Sequence, residues 1–290
     1  MNIMKLSDRL KKWDVLYFFL TNSKFKIGIS ILLFFILLSI VGPFFIHYAP
    51  YEYAGIQGSP PSLEHPLGTN PFGYDLYSQL IVALDGTWLV GLIGGGVATI
   101  IGLLIGFFSG YKGGFLDEVL MMFTNILLVI PTIALLVIIA SFLNSRSVVL
   151  ESLIIGLTGW PWVARAVRAQ TLSLKSREFV SLSKISGAGT LKIIAEDIAP
   201  NMLSYVFMVF ILQFGGSILA IVGLSFIGLG PTNSVSLGGM LQDSVLWNAL
   251  ILGYWWWMIP PGIVITFMVA SLYFINMAMD EAFNPRLRST

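Results

Sequence analysis

Long uncharged runs of apolar residues, separated by short polar segments, set the pattern of this chain. A helix that crosses about 30 Å of hydrocarbon at 1.5 Å per residue needs roughly 20 predominantly apolar residues. Six stretches approach or exceed that length, at about 27–46, 88–108, 119–142, 152–169, 202–227 and 249–279. The fourth is the shortest and carries Arg165 and Arg168 toward its end. The pattern predicts an all-α membrane protein with six transmembrane helices. Between the first two spans, Pro50, Pro60, Pro61, Pro66 and Pro71 favour loop over helix. Leu76, Leu80, Ile81 and Leu84 then recur at helical spacing, which predicts a short interfacial helix over 75–84.

Charge placement orients these spans. Lys and Arg collect on the cytoplasmic side of membrane proteins. With the N-terminus inside, the six spans put every basic residue except Arg146 on the cytoplasmic side. The predicted organisation is a cytosolic N-terminal segment (1–26), a first transmembrane helix (27–46), an extracytoplasmic loop containing the short interfacial helix (47–87), a five-helix core (88–279) and a cytosolic tail (280–290). A cytosolic loop at 172–201 interrupts the core. The first apolar run is longer than the 7–15 residues usual in a cleaved signal peptide and no clear small-residue cleavage site follows, so an uncleaved helix is expected.

Composition agrees and removes other classes. Only 11% of the 290 residues are Asp, Glu, Lys or Arg, against about 25% in a soluble domain. Mean hydropathy is +0.85. A net charge of +1 gives no basic footprint for nucleic acid. No cysteine is present, and His47 and His65 are the only histidines, so thiolate chemistry and a multi-histidine metal site are not expected. A membrane-embedded enzyme would have little chemistry to use, and no cofactor is called for.

Three features stand out within and beside the spans. Gly91, Gly95, Gly102, Gly106 and Gly110 are spaced by four or seven residues, which puts them on one helical face for close packing. A phosphate-binding loop at Gly94-Gly-Gly96 is excluded, since no G-x-x-x-x-G-K-[ST] pattern occurs. Trp255, Trp256 and Trp257 are expected as interfacial anchors, with a stacking platform for a sugar as the alternative. In the inner loop Phe179, Leu182 and Ile185 fall on one helical face, and Gly187-Ala-Gly189 permits a sharp turn. A second short helix follows, with Thr190 as its cap, Leu191, Ile194 and Ile198 at helical spacing, and Pro200 helping to end it. Two amphipathic helices at an angle form a knob, either a membrane-surface connector or an element that docks into a soluble partner.

The spans carry almost no ionisable residue of the kind that proton- or ion-coupled carriers bury along their path, and the chain has no Walker motif. A transporter of this composition must receive work from a partner, and the knob is the place for it. A stand-alone channel or secondary carrier is the competing class. It would move solute when purified alone.

The sequence resembles the permease subunits of ATP-binding-cassette importers of the dipeptide, oligopeptide and nickel class. Glu178, Gly187, Ile198, Pro200 and Asn201 match the family's cytoplasmic signature, and Trp160-Pro161 and the stretch 164–180 are similar to the segment leading into it. Pro66-Leu-Gly-Thr-Asn70 resembles the outer motif of the second permease of the pair, while 223–230 and Asn284-Pro-Arg-Leu-Arg288 resemble its fifth-span and C-terminal marks. Three departures are present: Ser181-Leu-Ser183 replaces an acidic-Ala-Ala triplet, Asn70 stands where the outer motif has Asp, and Gly73-Tyr-Asp75 replaces Gly-Arg-Asp.

The resemblance implies a type I importer permease fold, one N-terminal helix packed around a core of five, in the cell membrane with both termini cytoplasmic. It implies a homologous second permease, two cytosolic ATP-binding subunits that carry the ATPase activity, and an extracytoplasmic solute-binding protein. Glu178, Phe179, Leu182, Ile185, Gly187, Ile198 and Pro200 would form the ATPase-coupling loop, with Phe179, Leu182 and Ile185 filling the partner's groove. A peptide-like solute is the first expectation, an oligosaccharide or nickel chelate the alternative. Arg165 and Arg168 are expected to pair with acidic groups or phospholipid, or to act as plain positive-inside anchors.

Overall fold

The computed structural model describes residues 17–283. Lys5, Arg9, Lys11 and Lys12 of the N-terminal segment, and the 284–288 motif, lie outside the described residues. Among the described residues the chain is helical, and its β structure is limited to isolated bridges pairing Tyr53 with Tyr74 and Thr69 with Asp75.

Helix α1 (Ser23–Val41) begins at Asn22, whose side chain accepts from the Phe25 N–H. A short 3₁₀ turn, Gly42–Phe45, follows it. Helix α2 (Leu76–Lys112) is capped by Asp75, which accepts from Ser78 N–H. The expected interfacial helix at 75–84 and the second span are therefore one element of 37 residues, about 55 Å long at 1.5 Å per residue. No proline interrupts the segment, and Gly86 costs a helix interior only about 1 kcal/mol relative to alanine.

The third expected span is broken. Helices α3 (Gly114–Val129) and α4 (Thr132–Ser141) meet at an 81° bend. Pro131 lacks the N–H that would continue the ladder, and Ile130 before it is extended (φ −77°, ψ 123°) because the proline ring disfavours the helical region there. Helix α5 (Val148–Lys175) starts at a Ser147 cap and holds Pro161 in its interior. The inner loop holds α6 (Glu178–Ile185), and helices α7 (Leu203–Phe226), α8 (Leu237–Leu246) and α9 (Trp255–Phe283) complete the bundle. The sixth span starts at Trp255 rather than near 249, because Asn248 (φ 53°) and Gly253 (φ 86°) turn the chain before it.

Among the described residues four helices, α1, α2, α7 and α9, are long and apolar enough to cross a membrane, and the bent pair α3–α4 adds a fifth if its halves make one span. Helix α5 is long enough but more polar. It buries Glu151 at 2% exposure in its first turn, with Arg146 Nε 3.8 Å away. Arg146, the one basic residue expected outside, donates from Nε to the Gly230 carbonyl at 2.9 Å and so ties the loop after α7 to the start of α5.

Helix α2 stands at the centre, and its glycines do not all meet one neighbour. A Cβ added at Gly91 or Gly95 would lie 2.5 Å from the Phe214 ring or 2.8 Å from the Phe214 nitrogen, on α7. At Gly102, Gly106 and Gly110 it would meet the backbone of α5, at Ala164 N (3.0 Å), Ala164 O (2.8 Å) and Arg168 O (2.9 Å). A helix this long is crossed by two partners, so one stripe of small residues serves both. Helix α1 lies along α9 in the same manner, with Gly28 against Ser271 O, and Asn22 and Lys24 both reach Glu281.

Candidate functional site

The inner loop folds as a short helix, a turn and a composite helix. Helix α6 (Glu178–Ile185) opens after an extended Arg177 and carries Glu178 in its first turn, where a carboxylate suits the positive helix end. Gly187 then takes φ 81°, a left-handed conformation that glycine adopts without cost. Open space surrounds it, since a Cβ there would meet nothing within 4 Å.

The second helix differs from expectation in both its ends. Gly189, not Thr190, occupies the cap, and Thr190 is the first helical residue. The helix also does not stop at Pro200. It runs as an α turn (Thr190–Lys192), a π segment (Ile193–Ile198) and another α turn (Ala199–Asn201), then enters α7 after Met202. Proline has no N–H to give, and its ring collides with the carbonyl four residues back in a regular helix. The wider π turn ahead of it, with Ala199 N–H bonded to Ile194 O, accommodates Pro200 near the start of the next turn.

Burial divides the loop into two faces. Val180, Ile193, Ile194 and Ile198 are buried against Phe107, Tyr111, Val163, Val167, Met202 and Val209, so the loop is fixed to α2, α5 and α7. Ile198, a residue of the expected coupling loop outside its groove-filling triad, is fully interior. The other face is bare: Phe179 is 38%, Leu182 63% and Ile185 84% exposed, with Leu191 beside them at 68%. Glu178, Pro200 and Ser181 are exposed as well, and the Ser181 hydroxyl makes a long bond of 3.4 Å to its own helix at Arg177 O. An open hollow of about 570 Å³, lined by Phe108, Lys112, Thr190 and Leu191, adjoins this face. Sequence spacing found the exposed triad. It could not rank Ile198, because docking of the loop onto α2 and α5 is a tertiary event.

Just above the loop, Arg168 makes a paired contact with Asp117, Nε to Oδ1 and Nη2 to Oδ2, both 2.6 Å, and Ser109 also bonds that carboxylate. The pair joins α5 to α3 close to where α5 runs into the loop. Arg168 is thus an ion-pair partner rather than a plain anchor, while Arg165 bonds Asn125 Oδ1 at 2.6 Å. Neither Asp117 nor Asn125 has a spacing signal that would have named it from sequence.

At the opposite end the Pro66–Asn70 motif is architectural. Thr69 Oγ1 accepts from Ser59 N–H and donates to Ile56 O, and Asn70 Oδ1 accepts from the N–H groups of Phe72 and Tyr74. His65 Nδ1 lies 3.0 Å from Asp75 Oδ1, and Gly68 holds φ 72° where a Cβ would strike Ser59 O. The tryptophan row divides. Trp255 is exposed, Trp256 donates to Thr69 O at 3.2 Å, and Trp257 is 1% exposed in the core. A three-ring platform is therefore not formed, and only Trp255 keeps the surface position expected of all three.

Comparison with known proteins places this architecture. Residues 102–289 match the family model described as binding-protein-dependent transport system inner membrane component. The chain is 31% identical to a putative peptide transport system permease protein of Brucella abortus biovar 1 (strain 9-941), covering 92% of this chain and 89% of that one. It is 29% identical to the dipeptide transport system permease protein DppC of Bacillus subtilis (strain 168), over 90% of this chain and 81% of that one. Against the oligopeptide transport system permease protein OppC of the same organism it is 29% identical, over 96% and 91%. The chain is a multi-pass membrane protein and belongs to the family of binding-protein-dependent transport system inner membrane components.

Proposed function

We propose that this chain is one permease of an ATP-driven peptide importer, with six membrane passages, both termini in the cytosol and the 178–201 loop as its contact with an ATPase. In this reading α5 is the fourth passage despite its polarity, with Glu151 buried and Arg168 paired with Asp117. The solute class comes from the similar proteins, whose names specify peptides. A homologous second permease, two ATP-binding subunits and an extracytoplasmic binding protein complete the machine.

One observation carries the proposal: an apolar patch of Phe179, Leu182 and Ile185 stands exposed on a helix whose other side is buried in the bundle. An exposed apolar patch marks a contact with a protein or a membrane surface, and in this reading it is the protein contact. Burying a Leu or Ile side chain contributes about 1.5–3 kcal/mol, so the two most exposed residues alone supply a useful share of a docking energy. Because Val180 and three isoleucines fix the loop to the bundle, movement of the docked partner is passed to α5 and α7 instead of being absorbed.

The test is reconstitution in proteoliposomes with all partner subunits. Leu182→Asp and Ile185→Asp should abolish ATP-dependent peptide uptake and release the ATPases from the membrane, while the permease pair remains inserted. Uptake by this chain without any ATPase would instead identify a carrier or channel.

A further inference from the structure

At the end of α5 away from the 178–201 loop, the segment joining α7 to α8 and the first turns of α8 border a polar-walled cavity of about 190 Å³. Arg146, Ser225, Ser234, Gln242 and Asp243 line it, together with Gln79 and the Tyr51 ring. Among the described residues six buried side-chain polar atoms lack a hydrogen bond, and four of them gather here. They are Ser225 Oγ and Ser234 Oγ in the wall, and both Glu151 oxygens next to Arg146. Ser225 is 2% exposed. Buried polar groups are nearly always paired, so a cluster of exceptions needs a cause.

Much of the wall is already engaged. Arg146 gives Nε to Gly230 O at 2.9 Å and reaches Gly228 O with Nη2 at 3.4 Å, while the Glu151 carboxylate 3.8 Å away offsets its charge. Gln242, with its amide oriented to satisfy both neighbours, donates to Ser225 O (3.1 Å) and accepts from Gly228 N–H (3.0 Å). Gln79 Nε2 donates to Pro50 O, and Ser236 Oγ accepts from Gly239 N–H at the start of α8. Asp243 differs: it is exposed, and its carboxylate has no hydrogen bond or ion pair among the described residues. The wall therefore leaves unclaimed one uncompensated negative charge, the Gln79 Oε1 acceptor and two buried hydroxyls.

Such a wall complements a cation that donates several hydrogen bonds. A divalent metal wants a closer cage of carboxylates or imidazoles, and no group of three such residues occurs among the described residues. A primary ammonium carries one charge and three donors. The exposed Tyr51 ring, near enough to Asp243 to feel its charge, adds a π face for it. The volume is several times the roughly 30 Å³ of one water, so the ammonium has room to enter with part of the residue that bears it.

We propose that this cavity binds the N-terminal ammonium of the peptide, with Asp243 as its counter-charge and the Ser225 and Ser234 hydroxyls accepting its hydrogen bonds. This rests on the importer reading above and names a contact within it. Every unblocked peptide carries that group whatever its side chains.

Because the Asp243 carboxylate touches no protein partner, Asp243→Asn should leave folding unchanged. Binding of trialanine and of N-acetyl-trialanine would be followed by ligand-observed NMR titration of the complete permease–ATPase complex in nanodiscs, without the binding protein. The free amine should bind at least tenfold tighter, as a charge-assisted contact supplies. Asp243→Asn should cut that preference below twofold, Asp243→Glu should keep part of it, and Ser225→Ala should weaken the free amine alone. Equal binding of the two peptides, or a preference that survives Asp243→Asn, would overturn the proposal. So would no saturable binding of either, since the cavity would then hold water only.

A second arm tests where the ammonium comes from. In proteoliposomes with the binding protein, Asp243→Asn should lower uptake of trialanine and spare the acetylated peptide, each normalised to its measured Kd for the binding protein. Equal loss for both would assign the cavity to a lysine of the binding protein and overturn the assignment to the solute. Absence of any peptide uptake by the unmodified complex would refute the importer reading, whereas the titration is read without transport, so the two failures are distinguishable.

Discussion

Replacing Gly187 by valine tests how the loop transmits force. The residue sits at φ 81° with nothing within 4 Å of the position a Cβ would take. Steric clash is therefore absent, and the whole cost falls on the backbone. Holding a non-glycine residue in a left-handed conformation costs of order 1–3 kcal/mol, and a β-branched residue is the least suited to it. A loop of this size relieves such strain by turning, which would swing α6 relative to the Thr190–Asn201 segment. If that geometry is what the ATPase reads, 1–3 kcal/mol corresponds to roughly a 5- to 150-fold loss of the coupled state.

Asparagine separates this account from one based on side-chain size. It tolerates the left-handed region several times better than most residues and is no smaller than valine in its demands on space. The assay is peptide uptake and binding-protein-stimulated ATP hydrolysis in proteoliposomes, with membrane levels measured by immunoblot. Gly187→Asn should retain most coupling and Gly187→Val should lose it at normal membrane levels. Normal coupling in the valine variant, or equal loss in both, would refute the reasoning.

Other expected outcomes follow from the packing. Gly106→Leu should destabilise the chain by more than about 3 kcal/mol, since even a Cβ would lie 2.8 Å from Ala164 O, whereas Gly96→Ala, facing open space, should be neutral or raise the unfolding temperature in detergent. Asp117→Asn should cost about 1.5–3 kcal/mol by removing the charge-assisted pair with Arg168, and a double-mutant cycle with Arg168→Leu should recover a coupling energy. Pro131→Ala should restore a backbone donor at the bend and reduce the 81° angle between α3 and α4, readable as a changed distance between spin labels at the two helix ends. Arg146→Ala should loosen the loop after α7, seen as faster amide exchange at Gly228–Thr232 with little change at α6.

Much of the bundle was legible because lipid imposes a simple rule on side chains: apolar length reads directly as helix. That rule located α1, α7 and α9 to within several residues at their ends. It was blind to continuity, so α2 was divided where a polar stretch around Asp85 and Gly86 left the backbone unbroken. It was equally blind to direction, since Pro131 sits in an apolar run and only the missing N–H reveals the bend. At the loop, spacing identified Phe179, Leu182 and Ile185 because a free amphipathic face keeps its helical period. Ile198 obeyed the same period and is interior, since which side of a helix meets the bundle is decided by α2 and α5 and not by the helix itself. Asp117, Asn125 and Glu151 escaped notice because a polar residue inside a span is recognisable only by what it touches.

The length of α2 has a mechanical meaning. At about 55 Å it exceeds the 40–45 Å of a bilayer with its headgroups, so it must either lean or stand clear of the surface. At one end it carries the cross-braced loop of His65, Thr69, Asn70 and Asp75, and near the other it is clamped to α5 through Gly102, Gly106 and Gly110. A beam held near one end amplifies angles: the Leu76 tip stands about 40–45 Å from the clamp, so ten degrees of lean there sweeps it sideways by about 7–8 Å. A rotation of α5 too small to disturb its packing would thus become, on the opposite side of the bilayer, a displacement of more than half a helix's width.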